Sequence, residues 1–503
     1  MPTRLELDLT AVMGRPPARR RDDTAPLRLL LCGDFSGRAG RGLDDPEALA
    51  ARPLLRVDVD NLDATIARLA PVVAHTPAGA APADAPREVC FSALEDFHPD
   101  RLYARGELFG DLHALRERLS DPALAAQATA PPTQAEPTGA AAESDEATLA
   151  RLLGRTAPPA TAAAAPVPRG VEAAVDALVR RAVAAHDAPT VAPEQGHLVR
   201  GVDAAVAERM RRLLHDPSFQ ALEAAWRTVQ LLASRLELDA SLELHLLDVT
   251  RAELAVAAAE PELARTGLWK TLVERRQGAD GGPVWSMVVS LEAFDASQAD
   301  VSLLASLAAT AAAGGAPLIA TASPGLFGCE TLADLSDPDQ WQPLDADHQA
   351  RWQALRQSPL APWIGLVAPR LLLRLPYGKG TDPLERFDFD ELAGVDPAQG
   401  LLWGHPGAAC ALLAGLAFSE DGWRLDLDTQ LDIDDLPAWI YDDGGERQLY
   451  PCAGAWLGER AADALLARGV MPLLSRRDYP AVKLLRWQSV AAPAAVLAGP
   501  WRG

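Results

Sequence analysis

The chain has 503 residues, 49% of them apolar, enough for a sizeable core and two or three domains, and a formal net charge of −22. A surface that acidic has the wrong sign for neutralising phosphates, which speaks against nucleic acid and anionic membranes as partners. Five widely spaced cysteines without a C-x-x-C pair argue against a disulfide framework or a zinc site. The N-terminus has no signal-type apolar core, and no run approaches the ~20 apolar residues that span a bilayer, so a cytoplasmic protein without membrane insertion is expected.

Residues 4–10, from Arg4 on, alternate Leu5, Leu7 and Leu9 with polar residues, which predicts a short strand. The Arg/Pro tract up to residue 23 then reads as a tether, so that strand can pair elsewhere. Residues 27–32 form a continuous apolar run, a buried strand, ending in the loop Gly33, Asp34, Phe35, Ser36, Gly37, Arg38. This loop matches neither phosphate-cradling glycine pattern and no lysine follows it, so it reads as a structural turn and no cofactor is assigned.

Strands are predicted at 54–59 and 89–93, a helix at 60–69 opened by Asp60 or Asn61, and another at 108–119. Glu95, Asp96 and Asp100 read as solvated loop charges. The segments GDFSGR, VDVDNLD, LEDFHPD and DLHALRERL, in that order, resemble TssB (VipA), the small sheath subunit of type VI secretion systems. The resemblance implies a small sheath domain over 1–121, with residues 4–10 similar to the strand that TssB contributes to subunit interlacing.

Over 122–169 the composition shifts to alanine, proline and threonine, too poor in large apolar groups to offset the ordering entropy of a fixed fold. Within this linker, residues 146–155 can form a short helix with Leu149, Leu152 and Leu153 on one side. That segment resembles the TssC helix recognised by an AAA+ unfoldase, which implies such an unfoldase as a partner. Residues 171–186 predict another amphipathic helix.

Residues 201–236 place Val202, Val206, Met210, Leu213 and Leu214, then Phe219, Leu222, Trp226, Val229 and Ala233, at helical spacing. Between the two helices Asp216 is a cap and Pro217 sits in the first turn of the second. His215 reads as a satisfied corner histidine, because no companion metal ligand or base lies nearby. The Trp226 face is expected to pack on the following sheet. Residues 214–229, with His215, Asp216, Pro217, Phe219, Trp226 and Arg227, closely resemble the LHDPxFQxLEAAWRGL signature of TssC (VipB/EvpB), the large sheath subunit, with Thr228 in place of Gly.

Strands at 242–249, with inward leucines and outward polar groups, at 284–291, 318–322 and 363–367 alternate with helices at 300–313 and 349–357, which predicts an α/β domain. The segment Pro369, Arg370, Leu371, Leu372, Leu373, Arg374, Leu375, Pro376, Tyr377, Gly378 resembles the family's PRFLLRLPYG. Its two arginines could clamp an oxyanion, but the favoured reading is an edge segment whose arginines face carboxylates. Residues 387–391 match the F-x-F-x-E step that follows, and 402–405 resemble LWGN with His405 for Asn. The Leu/Asp alternation of 426–435 lacks the glycine and glutamate of a calcium loop and predicts a strand with one wet face. A helix at 459–468 and a last strand at 481–489 complete the reading, with Gly469 to Leu473 and Gln488-Ser489 resembling the family's GFIPL and AVFFxxQS.

These resemblances imply an α/β fold of two packed sheath-type domains, 1–121 and 170–503, joined by a disordered Ala/Pro-rich tether, that is, a fusion of TssB and TssC. Beyond Ser489 the sequence lacks the further region with which TssC proteins link subunits through shared strands. The expected role is therefore structural, docking on sheath or baseplate rather than building long sheath alone. The alternative is an authentic contractile sheath subunit with reduced interlacing. An enzyme on the same fold, using Arg370 or Arg374 with an acidic partner, is the third reading, and no nucleophile-base set accompanies those arginines.

Overall fold

The computed structural model describes residues 25–75, 87–120, 193–276 and 285–501. The expectations for residues 4–10, 122–169 with its helix, and 171–186 lie outside them.

One nine-stranded sheet organises these residues. In chain order its strands are β1 (Leu27–Gly33), β2 (Leu55–Val57), β5 (Leu242–Asp248), β6 (Met287–Phe294), β7 (Leu318–Ala322), β8 (Ile364–Ala368), β11 (Asp432–Ile433), β14 (Val470–Ser475) and β15 (Val482–Leu484). Separate two-stranded ladders join β3 (Val72–His75) to β4 (Arg87–Cys90), β9 (Leu371–Leu372) to β10 (Trp403–Gly404), and β12 (Ile440–Asp443) to β13 (Glu446–Leu449). Across the large sheet the order is β11-β15-β14-β8-β7-β6-β1-β5-β2. Strands β14 to β5 in that order run parallel, while at the two edges β15 pairs antiparallel with β14, β11 with β15, and β2 with β5.

The N-terminal part does not sit beside the sheet; it enters it. Strand β1 lies between β5 and β6, in register from Leu27 opposite Leu242 to Gly33 opposite Asp248 on one side, and from Leu29 opposite Met287 to Cys32 opposite Ser290 on the other. Its unbroken apolar run suits that place, because a parallel interior strand is covered on both faces. Leu27, Leu29 and Leu31 join one core with Met210, Phe219 and Trp226. Leu30 and Cys32 join a second core with Leu304, Ala308 and Trp352.

Helices fill both layers: α1 (Leu62–Leu69), α2 (Gly106–Ser120), α3 (Pro193–Leu214), α4 (Pro217–Arg235), α5 (Arg251–Ala259), α6 (Gln298–Ala313), α7 (Ala346–Arg356), α8 (Gly407–Asp421) and α9 (Glu459–Ala467). The α3–α4 corner is capped by Asp216, whose carboxylate accepts from the Ser218 and Phe219 amides at 2.9 and 3.2 Å. Helix α2 packs on α3 across the two parts, with Arg116 to Asp203 at 2.7 Å and Arg209 to Asp111 at 2.6 Å.

Several sequence expectations need correction. The alternation of 242–249 does not give a wet face: Leu244 and Leu246 join one core and Leu247 the other, and His245 and Asp248 are buried. Only Asp432 and Ile433 of 426–435 form a strand. Asp426 instead bonds the Asp428 amide at 3.1 Å and turns the chain, the local side-chain bond winning over an alternation that also fits a strand. The last strand stops at Leu484. Strand β3, absent from the sequence reading, pairs with β4 and donates the Val72 amide to the Ser36 carbonyl.

Candidate functional site

Two buried ionic clusters take in Asp34, Arg38, Arg227 and Arg374 of the charged residues singled out above. The first lies at the carboxyl ends of β1 and β5. There Asp248 accepts from the amides of Phe35 and Ser36 at 2.9 and 3.1 Å and from the Ser36 hydroxyl at 2.8 Å. Gly33 lets the strand pass Leu291, since a Cβ there would lie 2.8 Å from its Cδ1. Asp34 folds back on the amides of Arg38 and Ala39. Gly37 takes φ +70°, and a Cβ on it would sit 2.3 Å from the Val72 carbonyl oxygen.

The loop thus aims Arg38 at Glu253. Both guanidinium terminal nitrogens of Arg38 reach that carboxylate, at 2.6 and 3.2 Å, and Arg52 does the same at 2.6 and 2.9 Å. The amides of Thr250 and Asp45 complete the shell of Glu253, which is 0% exposed. Burial alone would raise its pKa, but the hydrogen bonds from Arg52, Arg38 and the two amides outweigh it and hold the carboxyl down at about 2. Asp248 goes the other way: burial dominates and pushes its carboxyl up.

Trp226 ties the same loop to α4, donating its indole N–H to the Phe35 carbonyl at 2.9 Å with the two rings 5.5 Å apart. The Trp226 face therefore meets the β1 loop as well as the core of the sheet.

The second cluster centres on Arg374. Its guanidinium is bidentate to Glu223 at 2.8 and 3.2 Å and to Glu391 at 2.8 and 2.9 Å. Glu391 also accepts the Tyr377 amide at 2.8 Å, and Arg227 reaches Glu223 at 3.3 Å and the Tyr377 hydroxyl at 3.3 Å. Arg374 lies over the Tyr377 ring. Although burial opposes it, the arginines hold the Glu223 carboxyl below its usual range. Pro369 and Pro376 bracket this segment, and the Gly378 amide bonds the Asp382 carbonyl at 2.8 Å. The segment runs through the interior, not along an edge of the large sheet, with Leu371 and Leu372 buried.

Arg370 departs from the expected pattern. It faces no carboxylate: its guanidinium stacks 4.1 Å from the Trp403 ring and donates to the Ala398 carbonyl at 2.8 Å, and burial lowers its pKa to about 10. His215 is also less settled than a satisfied corner histidine. Its buried Nε2 has no hydrogen-bond partner and stands 3.9 Å from Glu391, and burial pushes its pKa down. Asp100 is a contact between the parts rather than a solvated charge, accepting from the Glu385 and Arg386 amides at 3.0 and 3.3 Å. Asp96 caps the Ser92 and Ala93 amides.

Glu253, Arg52, Asp248 and Glu223 were not singled out from the sequence. The T-x-x-E box at Thr250 and Glu253 was a readable signal, and both of its reciprocal bonds are present. Each carboxylate of these clusters is saturated by guanidinium and amide donors. Chemically they are fixed counter-ions that hold elements together.

What they hold together identifies the class. A central parallel sheet completed by a strand from an N-terminal segment, and locked by arginines from that segment, describes a two-part building block. Residues 196–491, more than half of the chain, match the family model "EvpB/VC_A0108, tail sheath N-terminal domain", and residues 18–134 match "Type VI secretion system, VipA, VC_A0107 or Hcp2". The chain belongs to the type VI secretion sheath family and carries its TssB-like and TssC-like regions in one polypeptide. It is 32% identical over 291 residues to the type VI secretion system sheath protein TssC1 of Pseudomonas aeruginosa, a match covering 56% of this chain and 58% of the relative. Among the described residues no helix is long and apolar enough to cross a membrane.

Proposed function

We propose that the chain is a cytoplasmic structural component that docks on type VI sheath or baseplate rather than forming long sheath alone. In this reading a TssB-like part over 1–121 and a TssC-like part over 170–503 act as one block, with 122–169 as the tether. The observation that carries the proposal is the large sheet itself. Its interior is completed by β1, while its edges end in strands of two residues (β11) and three residues (β2), too short to template a long run of added strands.

Negative-stain microscopy after mixing the purified protein with separately made TssB–TssC sheaths tests it. Protein bound at sheath ends or at baseplates is expected, and no association at any ratio would overturn the proposal. Tubes formed by the protein on its own would favour the second reading, a sheath subunit with reduced interlacing. Arg4, Leu5, Leu7 and Leu9 as a donated strand, and Leu149, Leu152 and Leu153 as an unfoldase-binding helix, belong to this proposal. Pulldown of a purified AAA+ unfoldase by wild type but not by a Leu149→Asp, Leu152→Asp variant checks the latter.

A further inference from the structure

Strand β1 has a ladder partner on each side, β5 and β6, so the seat it fills admits one strand and no second one. Strand β2, which also comes from the N-terminal part, pairs with the far side of β5, and β5 is thus held between two strands of that part. Contacts continue beyond the ladders. The Leu27 amide donates to the Ser241 carbonyl at 2.8 Å, the Ser286 amide to the Arg28 carbonyl at 2.9 Å, and the Thr271 hydroxyl to the Leu49 carbonyl at 2.7 Å. With β1 withdrawn, β5 and β6 would each show a row of unpaired amides and carbonyls. A foreign β1 can therefore enter only when the resident one leaves.

The two points at which the parts are joined lie at one end of a helix pair. Helices α2 and α3 are antiparallel, because Arg116 meets Asp203 while Asp111, earlier in α2, meets Arg209, later in α3. Ser120, one turn past Arg116, is therefore level with about Val199, and the start of α3 at Pro193 lies only ~9 Å farther along its axis. Residues 121–192 connect these points, far more chain than the gap requires. Treated as a coil, a connection of that length has a root-mean-square span of roughly 45–50 Å. That sets the N-terminal part at an effective concentration on the order of millimolar around its own seat.

We infer that the seat between β5 and β6 is reserved for the chain's own N-terminal part, and that a free copy of that part, from a second chain or a separate small sheath subunit, is excluded from it. A competitor at about 10 µM faces a resident at millimolar effective concentration, a handicap of about a hundredfold for equal contacts. The inference rests on the reading of the two sheath-type parts as one block and adds how that block meets others. It does not trade small subunits with a separate sheath, and the surfaces left for partners are those outside the seat.

The test mixes unlabelled full-length protein with isotope-labelled full-length protein cut at a protease site introduced within 122–169. Both are unfolded together in urea, diluted to about 10 µM, and read by native mass spectrometry. Cut chains must find their halves in solution and so report pairing without the tether. Intact chains that carry a labelled N-terminal half are expected at about 1% of intact chains or fewer. Such chains at tens of per cent, the level of random exchange, would overturn the inference. Cut halves that fail to re-pair while intact chains regain their fold support it, because pairing then depends on the connection. Native mixtures incubated for days give the same ratio with no refolding step, and the same two outcomes decide. The ratio is read on this protein alone, so a failure to dock on sheath or baseplate in the microscope leaves it untouched.

Discussion

The two ionic clusters are built to inverse stoichiometry from different sources. In one, a single carboxylate, Glu253, holds two guanidiniums, and both arginines belong to the N-terminal part. In the other, one central guanidinium, Arg374, holds two carboxylates, one of them also reached by Arg227, and all of these residues belong to the C-terminal part. Among the described residues the N-terminal part meets that second cluster at its rim, where the His98 ring meets Tyr377 with centroids 5.0 Å apart. The Arg374 cluster therefore organises one part internally, whereas the Glu253 cluster is a clasp between parts that would be separate proteins in an unfused system.

The largest expected effect breaks this contrast directly. Arg374→Ala leaves Glu391 buried without its guanidinium and Glu223 with Arg227 alone, and should cost about 3–5 kcal/mol in urea unfolding, with both parts lost together. The pair Arg38→Ala, Arg52→Ala should act differently. After proteolytic nicking at a site introduced within 122–169, wild-type fragments are expected to co-elute on gel filtration, because β1 stays in the sheet. The double variant should release them. Fragments that part equally in wild type and variant would remove the clasp role.

Acid weakens both clusters, since Glu223 is also held below its usual range, and the second adds a histidine at its rim. Glu253 has a folded pKa of about 2 against an ordinary 4.5, so it binds fewer protons folded than unfolded just below pH 4.5. Its contribution is present above that value and lost as the pH falls from 4.5 toward 2. His215 is held low as well, so folding opposes its protonation and stability declines as the pH drops below the ordinary 6.5. Urea midpoints measured against pH should fall less steeply below pH 4.5 in Glu253→Gln and less steeply below pH 6.5 in His215→Gln, other shifted carboxyls and histidines keeping part of each slope. Slopes unchanged in the variants would refute the assignment.

Local chemistry was legible in the sequence, and long-range pairing was not. The strand at β1, the turn at Gly33 to Arg38, and the strand–helix alternation all follow from residues within a few positions of one another. That β1 lies between β5 and β6 does not, because any continuous apolar run satisfies an interior place and the partners are more than 200 residues away. The same distance hid Glu253: its capping box is local, but Arg38 and Arg52 reach it across the boundary between the parts. Arg370 and Arg374 look equivalent in a leucine run four residues apart. Only the fold places carboxylates beside one and a tryptophan face beside the other.

The smaller effects test those local features. Gly37→Ala must put a side chain at φ +70° against the Val72 carbonyl, and a loss of roughly 1–2 kcal/mol or more is expected from the left-handed backbone alone. Because Gly37 sits in the loop that aims Arg38, the nicked fragments of this variant should also separate more readily than those of wild type.

Asp216→Ala should have the mildest consequence. The carboxylate satisfies two otherwise unpaired amides of α4, Ser218 and Phe219, and its removal should cost about 1 kcal/mol. Pro217 still presets the first turn, so α4 keeps its position and Trp226 keeps its bond to Phe35. The nicked fragments should then co-elute as in wild type despite the lower urea midpoint. A variant that released them would mean that the clasp depends on how α4 begins, and that the corner His215-Asp216-Pro217 contributes to joining the parts as well as to folding one of them.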